Sequence, residues 1–263
     1  MRLKASVFAL FTLLMVGCAG RTTIIHAPGP VMAPGALPIG FWENKETVVQ
    51  VRHNYEEWMF DFSIGNYVWA ERGGMTSGVA IRTDGLVLTN NHAINTGFGK
   101  RTKPVIRNEE ILVCKVPNGI LDCKPAKLVA TDQKQDVAFL QTDMRFPRVV
   151  EIGDDTTLVA GNEVYMWGNA MRLSPMVPLF GRYMGRVSEP YVDQKKTDLG
   201  LPMLLMDLST VGGFSAGPIF NMSGKLVSLG SRHTSEKKGR PLSLSVPATT
   251  ILRLLKDNNL VLN

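Results

Sequence analysis

The side chains able to do nucleophilic chemistry in this chain fall at three places. His92 lies in Leu88-Thr89-Asn90-Asn91-His92-Ala93-Ile94, directly after a β-rich run. Asp136 precedes an apolar run in Gln135-Asp136-Val137-Ala138-Phe139-Leu140, and Ser215 stands in Gly212-Gly213-Phe214-Ser215-Ala216-Gly217-Pro218. A serine hydroxyl becomes an effective nucleophile only when a base takes its proton. An imidazole base in turn needs a carboxylate to fix its tautomer and stabilise the imidazolium. His92, Asp136 and Ser215 supply these roles in the order His, Asp, Ser. Glycine beside the serine lets the backbone turn sharply and offers N–H donors to an oxyanion.

The other histidines offer less. His26 lies in a Pro/Gly-rich stretch, and His53 and His233 have no Cys or His neighbours at metal-ligand spacing. They read as packing or surface residues, and no metal or other cofactor is expected. Gly213-x-Ser215-x-Gly217 also fits the nucleophile turn of α/β hydrolases. That fold needs an acid and then a histidine after the serine, but no Asp or Glu lies between Ser215 and His233, and Pro218 denies the helix that should follow.

The elements that must position these residues are short strands. Thr47–Arg52, Gly78–Arg82, Leu86–Thr89, Ile111–Val116, Ile120–Lys124, Val137–Gln141, Glu163–Trp167, Leu204–Leu208, Pro218–Asn221 and Leu226–Gly230 are β-rich, with turn signals such as Asp84-Gly85 and Ser223-Gly224 between them. Residues 169–186 and 231–242 read as loops, and only Thr249–Leu255 reads as a helix. The pattern predicts an all-β sandwich or barrels. With 263 residues, 44% of them hydrophobic, the chain can build a sizeable core, which excludes disorder, and no apolar run is long enough to span a bilayer. A net charge of +6 spread along the chain does not argue for a nucleic-acid partner.

The residues quoted so far resemble the chymotrypsin/trypsin-fold serine proteases, and within them the bacterial HtrA (Deg) branch. Thr76-Ser77-Gly78-Val79-Ala80-Ile81 followed by Asp84 through His92 is similar to that family's first-barrel signature. Asp132–Leu140 resembles its Asp loop, and Gly153-Asp154, Gly161 through Val164 and Gly168-Asn169 the opening of its second barrel. Gly213-x-Ser215-x-Gly217-Pro218 with Asn221-x-x-Gly224-Lys225-Leu226-Val227 resembles the nucleophile region.

The resemblance implies two packed six-stranded antiparallel β-barrels over residues 44–263 (about 44–150 and 151–250) with a short C-terminal helix at about 249–256. It implies a serine endopeptidase that cleaves protein or peptide substrates through an acyl-enzyme. In that reading His92 is the base, Asp136 orients it, Ser215 attacks, and the N–H groups of Gly213 and Ser215 form the oxyanion hole.

There are departures. Phe214 and Ala216 replace the family's Asn and Gly around the serine, so the loop 209–214 is expected to be mobile or to need an activator. They also keep open an alternative, a latent or inactive lipoprotein serving as a binding or chaperone module. No PDZ domain follows the terminal helix, so PDZ-driven caging is not expected. Counting back from the nucleophile places Ser209 at the base of the specificity pocket, which suggests small or medium apolar residues before the cleaved bond. Arg232, Lys237, Lys238 and Arg240 read as a solvated basic loop.

The first residues are an address. Arg2 and Lys4 precede an apolar stretch, Val7–Val16, too short to span a membrane, and Met15-Val16-Gly17-Cys18 resembles a lipobox. Residues 1–17 read as a signal peptide and Cys18 as a lipidated mature N-terminus. Residues 18–43, rich in Pro and Gly, read as a tether to the membrane of a bacterial cell envelope, with the domain facing the periplasm or cell exterior.

Acylation of Cys18 leaves one pair, Cys114 and Cys123. Folding the chain about Asn118-Gly119 sets them opposite each other at a non-hydrogen-bonded position, where Cα atoms are about 4.5 Å apart, within disulfide range. A Cys114–Cys123 disulfide closing so short a loop contributes roughly 2–3 kcal/mol on the chain-entropy model. Thiol counts on the denatured protein should rise by two on reduction; an unchanged count excludes the bond.

Overall fold

In the strands apolar side chains alternate between two destinations. In the run Leu86-Val87-Leu88, Leu86 and Leu88 enter one buried cluster and Val87 another. This period of two follows from the pleat and tells which face each strand turns inward. A computed structural model describes residues 37–97, 103–115, 120–169, 176–189, 200–233 and 242–262. The tether before residue 37, the turn Asn118-Gly119 and Lys237, Lys238 and Arg240 lie outside these described residues.

Strands β1 (Val48–Asp61), β2 (Asn66–Ala80), β3 (Leu86–Thr89), β4 (Ile106–Lys115), β5 (Asp122–Asp132) and β6 (Val137–Thr142) close a barrel in the order β1-β2-β3-β6-β5-β4. A second barrel contains β7 (Glu163–Gly168), β8 (Val177–Glu189), β9 (Leu201–Asp207), β10 (Pro218–Asn221), β11 (Leu226–His233) and β12 (Ser243–Pro247), in the order β10-β11-β12-β9-β8-β7. The helices are α1 (Phe41–Thr47) and α2 (Ala248–Asp257). All strand pairings are antiparallel, so the expected architecture of two six-stranded barrels and a short C-terminal helix is the one observed.

One apolar cluster fills the first barrel (Val49, Val51, Val87, Val113, Leu140) and another the second (Val164, Met166, Leu204, Ile219, Val227). The largest joins the two barrels, placing Val79, Leu86, Leu88 and Phe139 with Tyr165, Trp167, Phe220 and Val246. Closing each sheet on itself leaves no barrel strand as an edge, and the shared cluster sets the cleft between the barrels. Cys114 and Cys123 are register partners and are bonded, with Cα atoms 4.0 Å apart.

The structure corrects several sequence expectations. The first hairpin is far longer than Thr47–Arg52 and Gly78–Arg82 suggest, with β1 and β2 paired from Val48↔Val79 to Asp61↔Asn66. The span 169–186 is not all loop, since β8 begins at Val177. Its Pro178, Gly181 and Gly185 hid it. A Cβ on Gly181 would stand 2.0 Å from the Asp207 carbonyl oxygen, and Gly185 sits at the register shift where β8 bulges against β9. Likewise β11 runs on to His233, and β12 lies within a serine-rich run that showed no apolar surplus.

The end of the span read as tether belongs to the fold. Phe41 is buried, with its ring against Tyr165, Trp167 and Phe180 at centroid distances of 5.3, 4.8 and 5.4 Å. The Trp167 indole N–H donates to its carbonyl. Three residues on, Asn44 donates to the Tyr165 hydroxyl and to the Gly224 carbonyl, both at 2.7 Å. Burial pushes the Tyr165 phenol above its ordinary pKa. Phe41→Ala should therefore cost about 3–5 kcal/mol. A lowered urea midpoint with unchanged m-value is the expected result.

Candidate active site

His92 sits in a single 3₁₀ turn, Asn91–Ala93, immediately after β3. Asp136 ends the β5–β6 turn at φ 57°, a left-handed conformation that aspartate tolerates better than most residues. That conformation aims its carboxylate at the histidine. The His92 backbone N–H donates to Asp136 Oδ1 at 2.9 Å, and Nδ1 lies 2.7 Å from Oδ2. A carboxylate can only accept here, so Nδ1 carries the hydrogen, which in the neutral ring makes Nε2 the acceptor. The turn is held in place by the Asn90 amide, which donates to the Asp136 carbonyl at 3.0 Å.

The carboxylate side chain of Asp136 is 1% exposed, and its surroundings must supply what water would. A third donor comes from the other barrel. Ser231 on β11 donates from Oγ to Asp136 Oδ2 at 2.6 Å. Sequence reasoning assigned residues 231–242 to a loop and missed this serine. In the sequence it is one serine among several, with Ser228 before it and Ser235 after it, and nothing local marks it.

Ser231 also lines a small cavity of about 70 Å³ together with Ser215, Phe214, Gly230, Arg232 and Met166. Of the three residues expected to act together, His92 and Asp136 are hydrogen-bonded to each other, and Ser215 lines the cavity that is also lined by Ser231, the second-barrel donor to Asp136. Ser209, expected at the cavity's base, is not among its lining residues; Thr210 and Ser243 are. The Met166 methyl reaches close to Gly217 and Gly230, where an added Cβ would come within 2.4 and 2.6 Å of it, so an apolar thioether narrows this side. His53, as expected, packs: it is buried and hydrogen-bonded to Glu109.

The serine sits in a tight turn between Gly213 at φ 96° and Ala216 at φ 57°. For alanine the left-handed region costs roughly 1–2 kcal/mol, which explains why glycine suits this place better. Two things hold the turn. The Phe214 ring is buried against Gly168, where a Cβ would come within 2.6 Å of it. The fully buried Ser77 of β2 then ties it to the first barrel. Its N–H donates to the Ser215 carbonyl at 2.9 Å and its Oγ to the Gly213 carbonyl at 3.0 Å. That Oγ also accepts from the Asn169 N–H, and the Ser77 carbonyl accepts from the Thr89 hydroxyl. Every hydrogen-bonding group of Ser77 is therefore used, its N–H and hydroxyl at the seam between the barrels and its carbonyl within the first.

Among the described residues no cluster of His, Cys, Asp and Glu could hold a metal ion. The arrangement holds an imidazole oriented by a buried carboxylate, and a serine on a strained turn at the cavity that the donor to that carboxylate also lines.

Comparison with known proteins bears on the family and the fold. A family model described as "Trypsin-like peptidase domain" matches residues 76–229. A "Probable periplasmic serine endoprotease DegP-like" of Pseudomonas putida is 32% identical over 182 residues, 67% of this chain and 33% of that protein. One from Bartonella henselae is 27% identical over 187 residues, 69% of this chain and 32% of the relative. The chain thus spans about a third of the length of these curated relatives. The fold is shared with a crystal structure of Deg5 (TM-score 0.58, 18% identity, 81% of this chain and 88% of that one). It is shared too with the "HtrA-type protease AlgW with decapeptide" (TM-score 0.61, 16% identity, 83% and 67%).

Ser77→Ala removes the donor to the Gly213 carbonyl and the acceptor of the Asn169 N–H. Leaving both unpaired in a dry seam should destabilise by about 1–3 kcal/mol. Guanidinium unfolding would show it, and a change below 0.5 kcal/mol would mean that the Ser77 hydroxyl adds nothing to the hold of its backbone N–H and of Phe214 on the turn.

Proposed function

The chain belongs to the trypsin-like peptidase family, and from that premise we propose that it is a serine endopeptidase whose triad is His92, Asp136 and Ser215. One observation carries the reading. The Asp136 carboxylate fixes the His92 tautomer from one side and, through Ser231, reaches the cavity that Ser215 lines.

The chemistry follows. His92 Nε2 accepts the Ser215 hydroxyl proton as Oγ attacks the carbonyl of a peptide bond. Asp136 stabilises the imidazolium, and the N–H groups of Gly213 and Ser215 receive the oxyanion. Collapse of the tetrahedral species expels the amine, which takes the proton from His92 and leaves an acyl-enzyme on Ser215. Water then hydrolyses that ester by the same route. The small cavity beside Ser215, narrowed by Met166, favours a small or medium apolar side chain before the cleaved bond. The relatives named as periplasmic endoproteases support export, and we assign residues 1–17 to a signal peptide and Cys18 to the lipid anchor. Protein or peptide substrates would then meet the enzyme at the envelope.

The alternative, a latent module on the same fold, is favoured by Ala216 at positive φ and by Phe214 in place of a polar residue. A fluorophosphonate probe separates the two readings. On the full chain, label should appear on Ser215 by peptide mass spectrometry and vanish in Ser215→Ala. His92→Ala should slow labelling by roughly 10²–10⁴-fold. An unlabelled Ser215 in protein with native circular dichroism would make the latent module the correct reading.

A further inference from the structure

The end of the first hairpin leaves the barrel. β1 keeps its second partner, β4, only as far as Glu57↔Ile106, while β1 and β2 continue together to Asp61↔Asn66. Beyond that point they form a two-stranded ribbon. Register partners share a face, and so do residues two apart, which puts Trp58, Trp69, Phe60 and Tyr67 on one side. The rings touch in sequence. Trp58 lies 5.2 Å from Trp69 and 5.9 Å from Tyr67, Phe60 5.2 Å from Tyr67, and Phe62 continues the row 5.1 Å from Phe60. At the barrel end the Arg107 guanidinium caps Trp69 at 4.2 Å.

None of these rings belongs to the clusters that hold the barrels together. Phe62 is 90% exposed, Ile64 64%, Tyr67 55% and Trp58 42%. A row of large apolar side chains in water is a standing cost unless something covers it. We propose that this aromatic face is a membrane-docking surface, lying in the interfacial zone of the bilayer that carries the anchor. The inference rests on the anchoring at Cys18 proposed above.

Three features choose a bilayer over another occupant. Between Trp58 and Trp69 the only Asp, Glu, Lys, Arg or His is Asp61, at the tip, so a charged protein partner finds little to pair with. Tryptophan and tyrosine, apolar with one polar edge, are the residues that favour the headgroup level. An open two-stranded edge is excluded from the hydrocarbon core but tolerated where water still reaches the backbone.

The reach also fits. Residues 18–36, fully extended, span about 60 Å, while β1 from Val48 to Asp61 is about 45 Å long. An anchored chain can therefore lay the ribbon tip on the membrane that holds it. Seated this way, the domain would be held by two points, which would set the cleft at a fixed orientation to the surface.

The test uses the full exported chain in phosphatidylcholine vesicles, with and without brominated acyl chains, read by tryptophan emission. Of the four tryptophans, Trp167 is buried and Trp42 lies on α1, so Trp58→Phe/Trp69→Phe isolates the ribbon. Docking predicts that bromolipid cuts the emission of Trp58 and Trp69 to about half or less, and that the double variant loses this quenching. Equal quenching of both proteins, or none, overturns the proposal. Mass spectrometry of the N-terminus reports the anchor separately. An acylated, vesicle-bound protein without ribbon quenching refutes the ribbon alone. A protein without acyl chains that still shows ribbon-dependent quenching keeps the ribbon and refutes the anchor. Quenching of these tryptophans by an unfolded polypeptide carrying an acceptor, with none by lipid, reassigns the face to protein.

Discussion

The buried carboxylate of Asp136 is the constraint on which the site depends. A charge that water cannot reach must be met by donors at hydrogen-bond distance, and here they come from two barrels. His92 gives two from the first, and Ser231 gives one from the second. Neither barrel could build this site alone. The apolar cluster of Leu86, Leu88 and Phe139 with Tyr165, Trp167 and Phe220 presses the barrels together, and the carboxylate makes their relative placement specific.

A second seam runs through Ser77. By gripping the carbonyls of Gly213 and Ser215 from β2, it ties the Ser215 turn to the barrel that carries His92. Phe214 complements it from the apolar side. Where a polar side chain could hold this turn by hydrogen bonds, here a buried ring is seated on Gly168. The departure from the family pattern thus exchanges a directional tie for a packed one, and Ala216 accepts a strained backbone next to it.

The sequence was legible wherever a signal is local. His92, Asp136 and Ser215 each stand at the end of a recognisable strand or turn. The Cys114–Cys123 pairing follows from the position of one Asn-Gly turn, because antiparallel register is set by counting outward from it. Ser231 was illegible because its role depends on a residue 95 positions away. β8 was hidden by Pro and Gly, whose reasons are a bulge and a close approach to Asp207, both properties of the neighbouring strand. Phe41 looked like the end of a tether because nothing local marks an aromatic residue as the plug of a distant barrel.

The sequence by itself determined the order of the chemical groups, which is read directly, and the strand period and the covalent cross-link, which depend on neighbours within about ten residues. Only the tertiary structure decided which serine would be the further donor to Asp136, which residue would clamp the Ser215 turn, and that the first hairpin would run past its barrel into a bare aromatic ribbon. Those outcomes depend on which surfaces meet when two closed sheets pack. Packing joins residues by shape and by unmet hydrogen bonds rather than by distance along the chain.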